Sequence, residues 1–555
     1  MVKKSLCAFA AAVAVSNAVA LSFGAYTDAM MDGLNGATTR VLFTVGEAWN
    51  QGGAGDYQPV GILDGLGAYD MGDNNVRVLA SHELGSSVGK PYSLANGTRL
   101  TGARISYFDI DKRSRMIVDA GAAYDTVHDR SGAVVTHAGQ LEFGSFNRFC
   151  SSALIEANQF GGGNGFADRI YFTGEETGGG SMWAVDTASN DIWGVPAMGR
   201  GGWENVTQVD TGSDSTVGIL MGDDRGGAPL YLYVGNKGIG QDGSGSDSFL
   251  ARNGLANGKL YTWKANDATR LSPEDFNGTG NSLAGSWVEV VNPDPGMAGN
   301  AGWDEHGYAL QENLDAQKVA NGSFNLSRPE DVATDPNDGS RAVIASTGRF
   351  SLFPSDAWGT MYTIDIDFQN GQPVGAKLEI LYDGDDADNR DFGLRNPDNL
   401  DWADNGTIVV QEDRSVGGFG LASREEASVW QFPSGIAGID PVRVAQIDRG
   451  AVPTTELGQT DGDPDDIGDW ESSGIVDVSV LFGEDPGSLF LLSVQAHSIR
   501  DGDVTTGGIG GSQYLVQGGQ LLFLDLSDAG PAQVSELRPA LLFVADVPFL
   551  VRRKR

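Results

Sequence analysis

Acidic residues recur along this chain at the ends of short hydrophobic segments. The segments share this placement and are SHEL with Glu83, FTGEET with Glu175 and Glu176, GWENV with Glu204, MGDDR with Asp223 and Asp224, SRPEDV with Glu330, NPDNLDW with Asp398, VVQEDR with Glu412 and Asp413, and DWESSGI with Glu471. Any one acidic turn between strands is ordinary, but recurrent Glu beside Trp or Pro is less typical of turns. Carboxylates that converge raise one another's pKa unless cations neutralise them. If the fold brings these ends together, the pattern predicts a metal site.

The hydrophobic segments that would position these acids have the pattern of β-strands. Segments such as SMWAVD, KLYTWKA, TMYTIDI, SVWQFP and LLFLDL follow an acidic or polar strand end and a Gly-rich loop. Long amphipathic helical patterns are scarce, so the predicted class is all-β. About six such hairpin units without linkers are typical of a single six-bladed β-propeller, with loops that converge on a central channel. An array of β-sandwiches is the alternative, and it would need linkers.

The two ends of the chain have their own patterns. MVKKSL and the apolar run CAFAAAVAVSNAVA predict a secretory signal over residues 1–20, cleaved after Ala20. The protein is therefore expected in the periplasm, outside the cell or at the cell surface. The propeller is expected over residues 21–545, followed by a basic tail over 546–555. Neither end is long and apolar enough to predict a membrane span.

The charge balance excludes one class of partner. The chain has 74 Asp and Glu against 37 Lys and Arg, a formal net charge of -37. Such a surface repels nucleic acid and anionic lipid, so no nucleic-acid partner is expected. The excess of carboxylates suits hard cations such as Ca²⁺, and it suits solubility in a salty medium equally well.

Removal of the signal leaves one cysteine, Cys150 in FNRFCSSAL, because Cys7 lies in the signal. This thiol is a buried inert side chain, an intermolecular link, a nucleophile or a metal ligand. A nucleophilic cysteine needs a base, usually His, and none of the five His residues lies in a recognisable cysteine-hydrolase signature. The sequence also lacks the P-loop, HExxH, CxxC and Gly-x-Ser-x-Gly motifs. A thiolate beside carboxylates would favour a transition metal alongside Ca²⁺.

These segments resemble those of the PhoX-type alkaline phosphatases. SHEL, FNRFCSS and FTGEET are similar to that family's Asn-His-Glu, Asn-x-Cys and Thr-Cys-Glu-Glu segments. GWENV with MGDDR, SRPEDV, NPDNLDW, and the pair DWESSGI and LLSVQAHS resemble its later ligand segments. The resemblance implies an exported six-bladed propeller with calcium ions and an iron pair, one iron bound to cysteine. It implies the following metal-ligand candidates: Glu83, Cys150, Glu175, Glu204, Glu330, Asp398, Glu412 and Glu471.

The resemblance also implies hydrolysis of small phosphate esters by a single chain. That reaction requires neutralisation of the charge on the transferred group, for which cationic side chains are needed beside the metals. We expect Arg328 and Lys237 in this role, with Arg148 and Arg414 as further candidates, although each could equally form a surface ion pair. Arg328 is favoured because a guanidinium binds two phosphate oxygens at once.

Two other functions fit parts of the pattern. A calcium-binding propeller at the cell surface without catalytic activity would keep the acids and need no thiol. A propeller hydrolase of the phytase or lactonase type would also use calcium, and it would not need Cys150 near the channel.

Overall fold

The computed structural model of this protein describes residues 21–49, 57–506 and 514–529. The predicted signal segment and the basic tail lie outside these ranges. Helices within them are short and are α1 (Phe249–Arg252), α2 (Gln311–Asn321), α3 (Ser479–Phe482) and α4 (Asp503–Thr506). No helix in this part of the chain is long and apolar enough to cross a membrane.

Strands form most of the regular structure. The first thirteen are β1 (Met31–Gly33), β2 (Thr38–Thr44), β3 (Leu63–Asp70), β4 (Asn75–His82), β5 (Tyr92–Ser93), β6 (Arg99–Leu100), β7 (Arg104–Asp111), β8 (Ile117–Ala122), β9 (Thr126–His128), β10 (Phe149–Ile155), β11 (Ile170–Gly180), β12 (Met182–Asp186) and β13 (Asp191–Gly194). The next nine are β14 (Gly201–Val209), β15 (Thr216–Asp223), β16 (Tyr231–Asn236), β17 (Gly258–Ala265), β18 (Ser282–Val290), β19 (Pro329–Asp335), β20 (Asp338–Ser346), β21 (Thr360–Gln369) and β22 (Gln372–Asp383). The last seven are β23 (Pro397–Trp402), β24 (Ile408–Glu412), β25 (Ser428–Phe432), β26 (Val442–Ile447), β27 (Glu471–Asp477), β28 (Leu489–Ala496) and β29 (Gly518–Asp525).

The strands are arranged in repeated antiparallel units. Their strand orders are β3-β4-β7-β8, β10-β11-β12-β13, β14-β15-β16-β17, β19-β20-β21-β22, β23-β24-β25-β26 and β27-β28-β29-β2. The N-terminal β2 therefore completes the unit that the C-terminal strands begin, which ties the two ends of the fold together. Strand β18 pairs with both β17 and β22 and joins two neighbouring units.

The first strand of each unit lies on the inside of the molecule. These strands, β3, β10, β14, β19, β23 and β27, contact one another in this order, and β27 contacts β3. The arrangement is β-propeller-like, and the predicted all-β class is confirmed. The inner strands are mostly buried, and every residue of β14 is buried, because neighbouring units cover both faces of the strand.

The hydrophobic core lies between the units. Its largest cluster packs β2, β28 and β29 against β3, β4 and β7. Phe43 and Phe108 contact one another there, with ring centroids 4.9 Å apart, and both are fully buried. Burial of each such side chain stabilises the fold by about 1.5–3 kcal/mol. This packing fixes the positions of the inner strands relative to one another.

Candidate metal centre

Each inner strand carries a candidate ligand within its first four residues. The pairing of β3 with β4 shifts register between Leu63 and Leu66, so that Asp64 lies in a β-bulge. The next four inner strands have equivalent register shifts. The residues within these shifted segments include Cys150, Glu204, Glu330 and Asp398. A bulge leaves one residue unpaired and bends the strand. In β27 the ligand candidate is the first residue, Glu471, and the shift comes just after Ser473.

The neighbouring strand of each unit supplies a second set of acids. Leu63 pairs with His82, and Glu83 follows directly. The same geometry occurs in three other units. In these units the acid that directly follows the residue paired with the start of the inner strand is Glu176, Asp224 or Asp413. The repeated hairpin thus provides two acids from one unit at the same end of the ring.

Ligand atoms from these two sets lie close together in three groups. The groups are Asp64, Glu83 and Cys150; Cys150, Glu176 and Glu204; and Glu204, Asp224 and Glu330, with the ligand atoms of each group within 4.8 Å of one another. Cys150 and Glu204 each belong to two groups. The three groups therefore form one continuous arrangement across β3, β10, β14 and β19, which we call the acidic cluster together with its neighbours Asp398, Asp413 and Glu471.

Negative charge in the acidic cluster exceeds positive charge by a wide margin. Its carboxylates are Asp64, Glu83, Glu176, Glu204, Asp224, Glu330, Asp398, Asp413 and Glu471, and they interact electrostatically with one another. The cations that face them are Arg148, Arg328 and His497. Burial, followed by the neighbouring carboxylates, raises the pKa of Glu204 and of Asp398 well above the usual range. Bound cations would remove this repulsion, since buried charges are stable only when they are paired.

Cys150 lies in the middle of the acidic cluster. Its Sγ donates a hydrogen bond to Oδ2 of Asp64 at 3.2 Å, and the residue is 8% exposed. Burial, and then the charges of Asp64 and Glu204, raise the pKa of the thiol well above its usual value. The thiol is therefore neutral without a cation, whereas a coordinated metal would hold it as thiolate.

Glu204 provides a direct test of whether the cluster fits a metal. Its Oε1 accepts a hydrogen bond from the backbone N–H of Ser151 at 3.1 Å. Its Oε2 is buried and has no hydrogen-bond partner among the described residues. An unpaired buried carboxylate oxygen costs about 1–3 kcal/mol or more, so this oxygen fits a metal ligand that points into the cluster.

Two arginines border the acidic cluster. Arg328 donates two hydrogen bonds to Asp224, at 2.7 and 2.8 Å, and its Nη2 lies 3.0 Å from Oε1 of Glu330. Although burial acts in the other direction, Arg328 lowers the pKa of Asp224 below its usual value. Arg148 forms ion pairs with both Glu83 and Glu176. Both arginine side chains are partly exposed, 21% for Arg328 and 44% for Arg148. An anion arriving from solvent can therefore reach them.

A histidine borders the acidic cluster beside β27. His497 Nε2 lies 3.5 Å from Oε2 of Glu471, and Nδ1 lies 2.7 Å from Oε1 of Gln517. Burial favours the neutral ring, but the contact with Glu471 outweighs it and raises the pKa of His497 to about 9. Burial and Glu471 raise the pKa of the adjacent Asp413 to about 7. His497 was not among the predicted site residues, although LLSVQAHS, the segment that contains it, resembles a ligand segment of the family.

Two predicted ligands, Glu175 and Glu412, lie outside the acidic cluster. Glu175 accepts hydrogen bonds from the backbone N–H groups of Asn147 and Ser181. Glu412 forms a fully buried ion pair with Arg395. Successive residues of a strand point to opposite faces, so the next residue of each pair, Glu176 or Asp413, faces the cluster.

Lys237, predicted as a phosphate contact, also lies elsewhere. Its Nζ donates hydrogen bonds to the carbonyl oxygens of Gly163 and Gly165, at 2.9 and 2.8 Å. It follows Asn236, which pairs with Thr216 at the start of β15, whereas Asp223 and Asp224 are at the opposite end of that strand. Lys237 therefore anchors the Gly-rich loop after β10.

Asp64 is a cluster residue that the sequence analysis missed. It follows a single Leu in ILDGLG, without the Glu and aromatic neighbours of the other segments. In the fold it accepts hydrogen bonds from the amides of Gln495, at 2.9 Å, and Asn399, at 3.3 Å. Its position in the repeated hairpin, at the start of β3 and opposite the SHEL end of β4, was the available signal.

The contrast between Glu412 and the cluster gives a first testable prediction. We expect Glu412→Gln to lower the free energy of unfolding by about 3 kcal/mol, because it removes the nearer of the two carboxylates that pair with the buried Arg395 and leaves only Asp391 at 3.4 Å. The folded fraction should keep its activity, since Glu412 does not face the cluster. Urea unfolding measures the change, with Glu379→Gln as the control at an exposed ion pair worth about 0–1 kcal/mol. Equal losses in both variants would contradict the prediction.

The fold and this cluster define a class: an all-β, propeller-like protein with a buried set of carboxylates and one thiol suited to metal ions. A family model described as alkaline phosphatase PhoX matches residues 142–458, more than half of the chain. The protein belongs to the PhoX alkaline phosphatase family and is a phosphoric ester hydrolase. The resemblance drawn from the sequence is thereby confirmed.

Solved structures support the fold. The chain is similar to Pseudomonas fluorescens PhoX in complex with vanadate, a transition state analogue, with a TM-score of 0.58, 15% identity, and coverage of 93% of this chain and 99% of that chain. An α-L-arabinofuranosidase from Clostridium thermocellum is much less similar, with a TM-score of 0.22, 10% identity, and coverage of 68% and 95%. No curated protein matches the sequence at a significant level.

Proposed function

We propose that this protein is a metal-dependent phosphatase that hydrolyses small phosphate esters at a multi-metal centre in the acidic cluster. The observation that carries the proposal is the excess of carboxylates over cations around the buried Cys150 and the unpaired Oε2 of Glu204. All of these side chains come from one chain, which supports a monomeric enzyme. Calcium fits the carboxylate oxygens, and iron fits the position of the thiol.

The ligands divide between the two sets of strand ends. Asp64, Glu83 and Cys150 would hold one ion, Cys150, Glu176 and Glu204 a second, and Glu204, Asp224 and Glu330 a third. Asp398 and Glu471 extend the cluster. When bound, the metals supply Lewis-acid stabilisation of the phosphoryl oxygens and a water of lowered pKa.

The chain's own side chains then bind and orient the ester. Arg328 and Arg148 lie at the border of the cluster and keep exposed surface. A guanidinium pairs with two phosphoryl oxygens and holds them against the cluster. The carboxylates that these arginines contact, Asp224 and Glu176, are metal-ligand candidates, so each arginine also fixes the orientation of a ligand.

We further propose a six-bladed propeller in an exported protein. The ring of six inner strands and the completion of the last unit by β2 support six blades. The lysines and apolar run of residues 1–20 support export to the periplasm or the cell exterior. A non-catalytic calcium-binding propeller is the main alternative.

The test is hydrolysis of p-nitrophenyl phosphate by the purified protein before and after chelation, and after calcium is added back. We expect Cys150→Ala to reduce turnover by about 10²-fold or more, since loss of one stabilising ligand or donor at such a site has effects of this size. Lys237→Ala serves as the control, because Lys237 lies away from the cluster.

The outcomes separate the candidate functions. Turnover that calcium restores and Cys150→Ala abolishes supports the proposal. Absence of turnover under every metal condition would contradict it and leave the calcium-binding propeller. Full turnover of Cys150→Ala would remove the thiol from the centre and favour a calcium-only hydrolase.

A further inference from the structure

Two arginines, the buried Arg200 and the partly buried Arg130, face a small cavity outside the acidic cluster. The cavity measures about 160 Å³, and its lining includes Arg130, Arg200, Ser181 and His306. A single water needs only about 15 Å³ of such space, so a larger polar ligand fits. Glu305, with 82% of its side chain exposed, marks the side that opens to solvent. We call this space the arginine pocket.

Half of the six guanidinium nitrogens in the arginine pocket have no hydrogen-bond partner among the described residues. Arg200 is 7% exposed; it donates to the carbonyl of Gly179 at 2.9 Å and to Oε2 of Glu142 at 3.1 Å. Arg130 donates to Oγ of Ser181 at 3.1 Å. Nε of Arg200, and Nε and Nη2 of Arg130, are buried without a hydrogen-bond partner in the described structure. Buried polar groups are normally satisfied, so these donors point to a missing acceptor.

The acids near the arginine pocket do not supply this acceptor. Asp304 Oδ2 lies 3.7 Å from Arg130 Nη2, beyond hydrogen-bond distance. The other oxygen of Asp304 accepts the backbone N–H groups of His306 and Tyr308. Oδ1 of Asp129 accepts the N–H and hydroxyl of Ser131. Glu142 is half exposed at the rim and reaches only Nη2 of Arg200.

The positive charge of Arg200 acts on Arg130. Burial, and then the charge of Arg200, lower the pKa of Arg130 to about 10. An anion between them would offset both effects, because it supplies opposite charge and accepts the unused N–H groups. A tetrahedral oxyanion presents several acceptor oxygens in different directions, which matches donors that come from two separate side chains.

We propose that the arginine pocket is a second oxyanion site that binds inorganic phosphate between Arg130 and Arg200, apart from the acidic cluster. None of its lining residues belongs to that cluster. The two sites share one segment of β11: Glu176 is in the cluster, and Gly179 accepts the hydrogen bond of Arg200. The proposal does not depend on the metals, since the guanidiniums alone carry the site.

Crystals of the metal-loaded protein soaked in arsenate, a phosphate analogue with anomalous scattering, test the location. We expect an arsenic peak between the guanidiniums of Arg130 and Arg200, resolved from any peak at the acidic cluster. A map without a peak in the arginine pocket at saturating arsenate would overturn the proposal, whatever the cluster shows. Occupancy by phenylphosphonate, an analogue without a hydrolysable ester bond, in a parallel soak would assign the site to the phosphoryl group of an ester rather than to free phosphate.

Calorimetric titration with inorganic phosphate tests the affinity in solution. We expect Arg200→Gln to reduce the number of phosphates bound per chain by one, or to weaken that site about tenfold or more. Arg270→Gln, at an exposed arginine, is the control and should bind as the wild type does. Thermal unfolding establishes that the variant is folded, and Arg200→Lys should recover part of the affinity. Unchanged stoichiometry and affinity in Arg200→Gln would overturn the proposal. A fall from one phosphate to none would still support this site, and would show that the cluster itself holds no phosphate.

Discussion

Chelation of the bound metals is expected to abolish phosphatase activity and to lower the stability of the folded chain. Without cations, the carboxylates of the acidic cluster and the neutral Cys150 thiol are buried beside one another. Ligand binding to the native state stabilises it by about 2.7 kcal/mol per site at a hundredfold excess over Kd. Differential scanning calorimetry with and without calcium, together with the p-nitrophenyl phosphate assay, measures both effects.

The pH dependence of this stabilisation has a definite sign. Burial raises the pKa of Asp413, and that of Asp331 in the neighbouring bulge, to about 7 in the metal-free fold, above the value near 4 of the unfolded chain. Between pH 4 and 7 the metal-free native state therefore binds more protons than the unfolded state, and its stability falls as pH rises. Metals bind the deprotonated ligands. The gain in melting temperature on adding calcium should accordingly grow from pH 5 to pH 8, and a gain that shrinks over this range would contradict the metal centre.

Replacement of Arg328 by Ala is expected to lower kcat/KM by about 10²–10³-fold, the range seen when one donor to a developing negative charge is removed. Arg328 is the cation whose guanidinium contacts both Asp224 and Glu330 and retains exposed surface. Nε and Nη2 of Arg328 already pair with Asp224, so its loss takes away the proposed contact of Nη1 with a phosphoryl oxygen. Steady-state kinetics with p-nitrophenyl phosphate provide the measurement.

Two controls make the result for Arg328 specific. Arg328→Lys keeps the charge but not the fork of donors, so a partial recovery is expected. Metal content, measured by mass spectrometry, shows whether Asp224 and Glu330 still bind their ion after the substitution. Wild-type kcat/KM in Arg328→Ala with full metal content would remove this arginine from catalysis. Lys237→Ala, at the other predicted cation, should leave kcat/KM unchanged because its Nζ contacts only loop carbonyls.

The pattern of acids at strand ends predicted much of the centre. Glu83, Glu204, Glu330, Asp398 and Glu471 all lie in or beside the acidic cluster, as does Cys150. Strand ends of a repeated hairpin share one edge of the fold, so residues at equivalent places in the repeat come together whatever their separation in sequence. Their role as metal ligands stays a prediction until an ion is observed.

Pairs of adjacent acids show that the sequence does not resolve which face of a strand a residue occupies. The predicted ligands in FTGEET and VVQEDR are Glu175 and Glu412, whereas Glu176 and Asp413 face the cluster. A shift of one residue moves a strand side chain to the opposite face. The bulges that set this shift are not visible in composition or alternation, because they depend on the pairing with the next strand.

The strand pattern was sufficient for the all-β class, and the recurrence of acids at strand ends was sufficient to predict an acidic centre, because both follow from local residue types and their repetition. The alkaline phosphatase family came from the resemblance of particular segments, such as SRPEDV, to those of that family. The register of each hairpin, the membership of Asp64 and His497, and the convergence of Arg130 and Arg200 on one cavity came from the folded chain. These depend on contacts between units far apart in sequence, such as Asp64 with Gln495, and such contacts exist only when the ring of inner strands is complete.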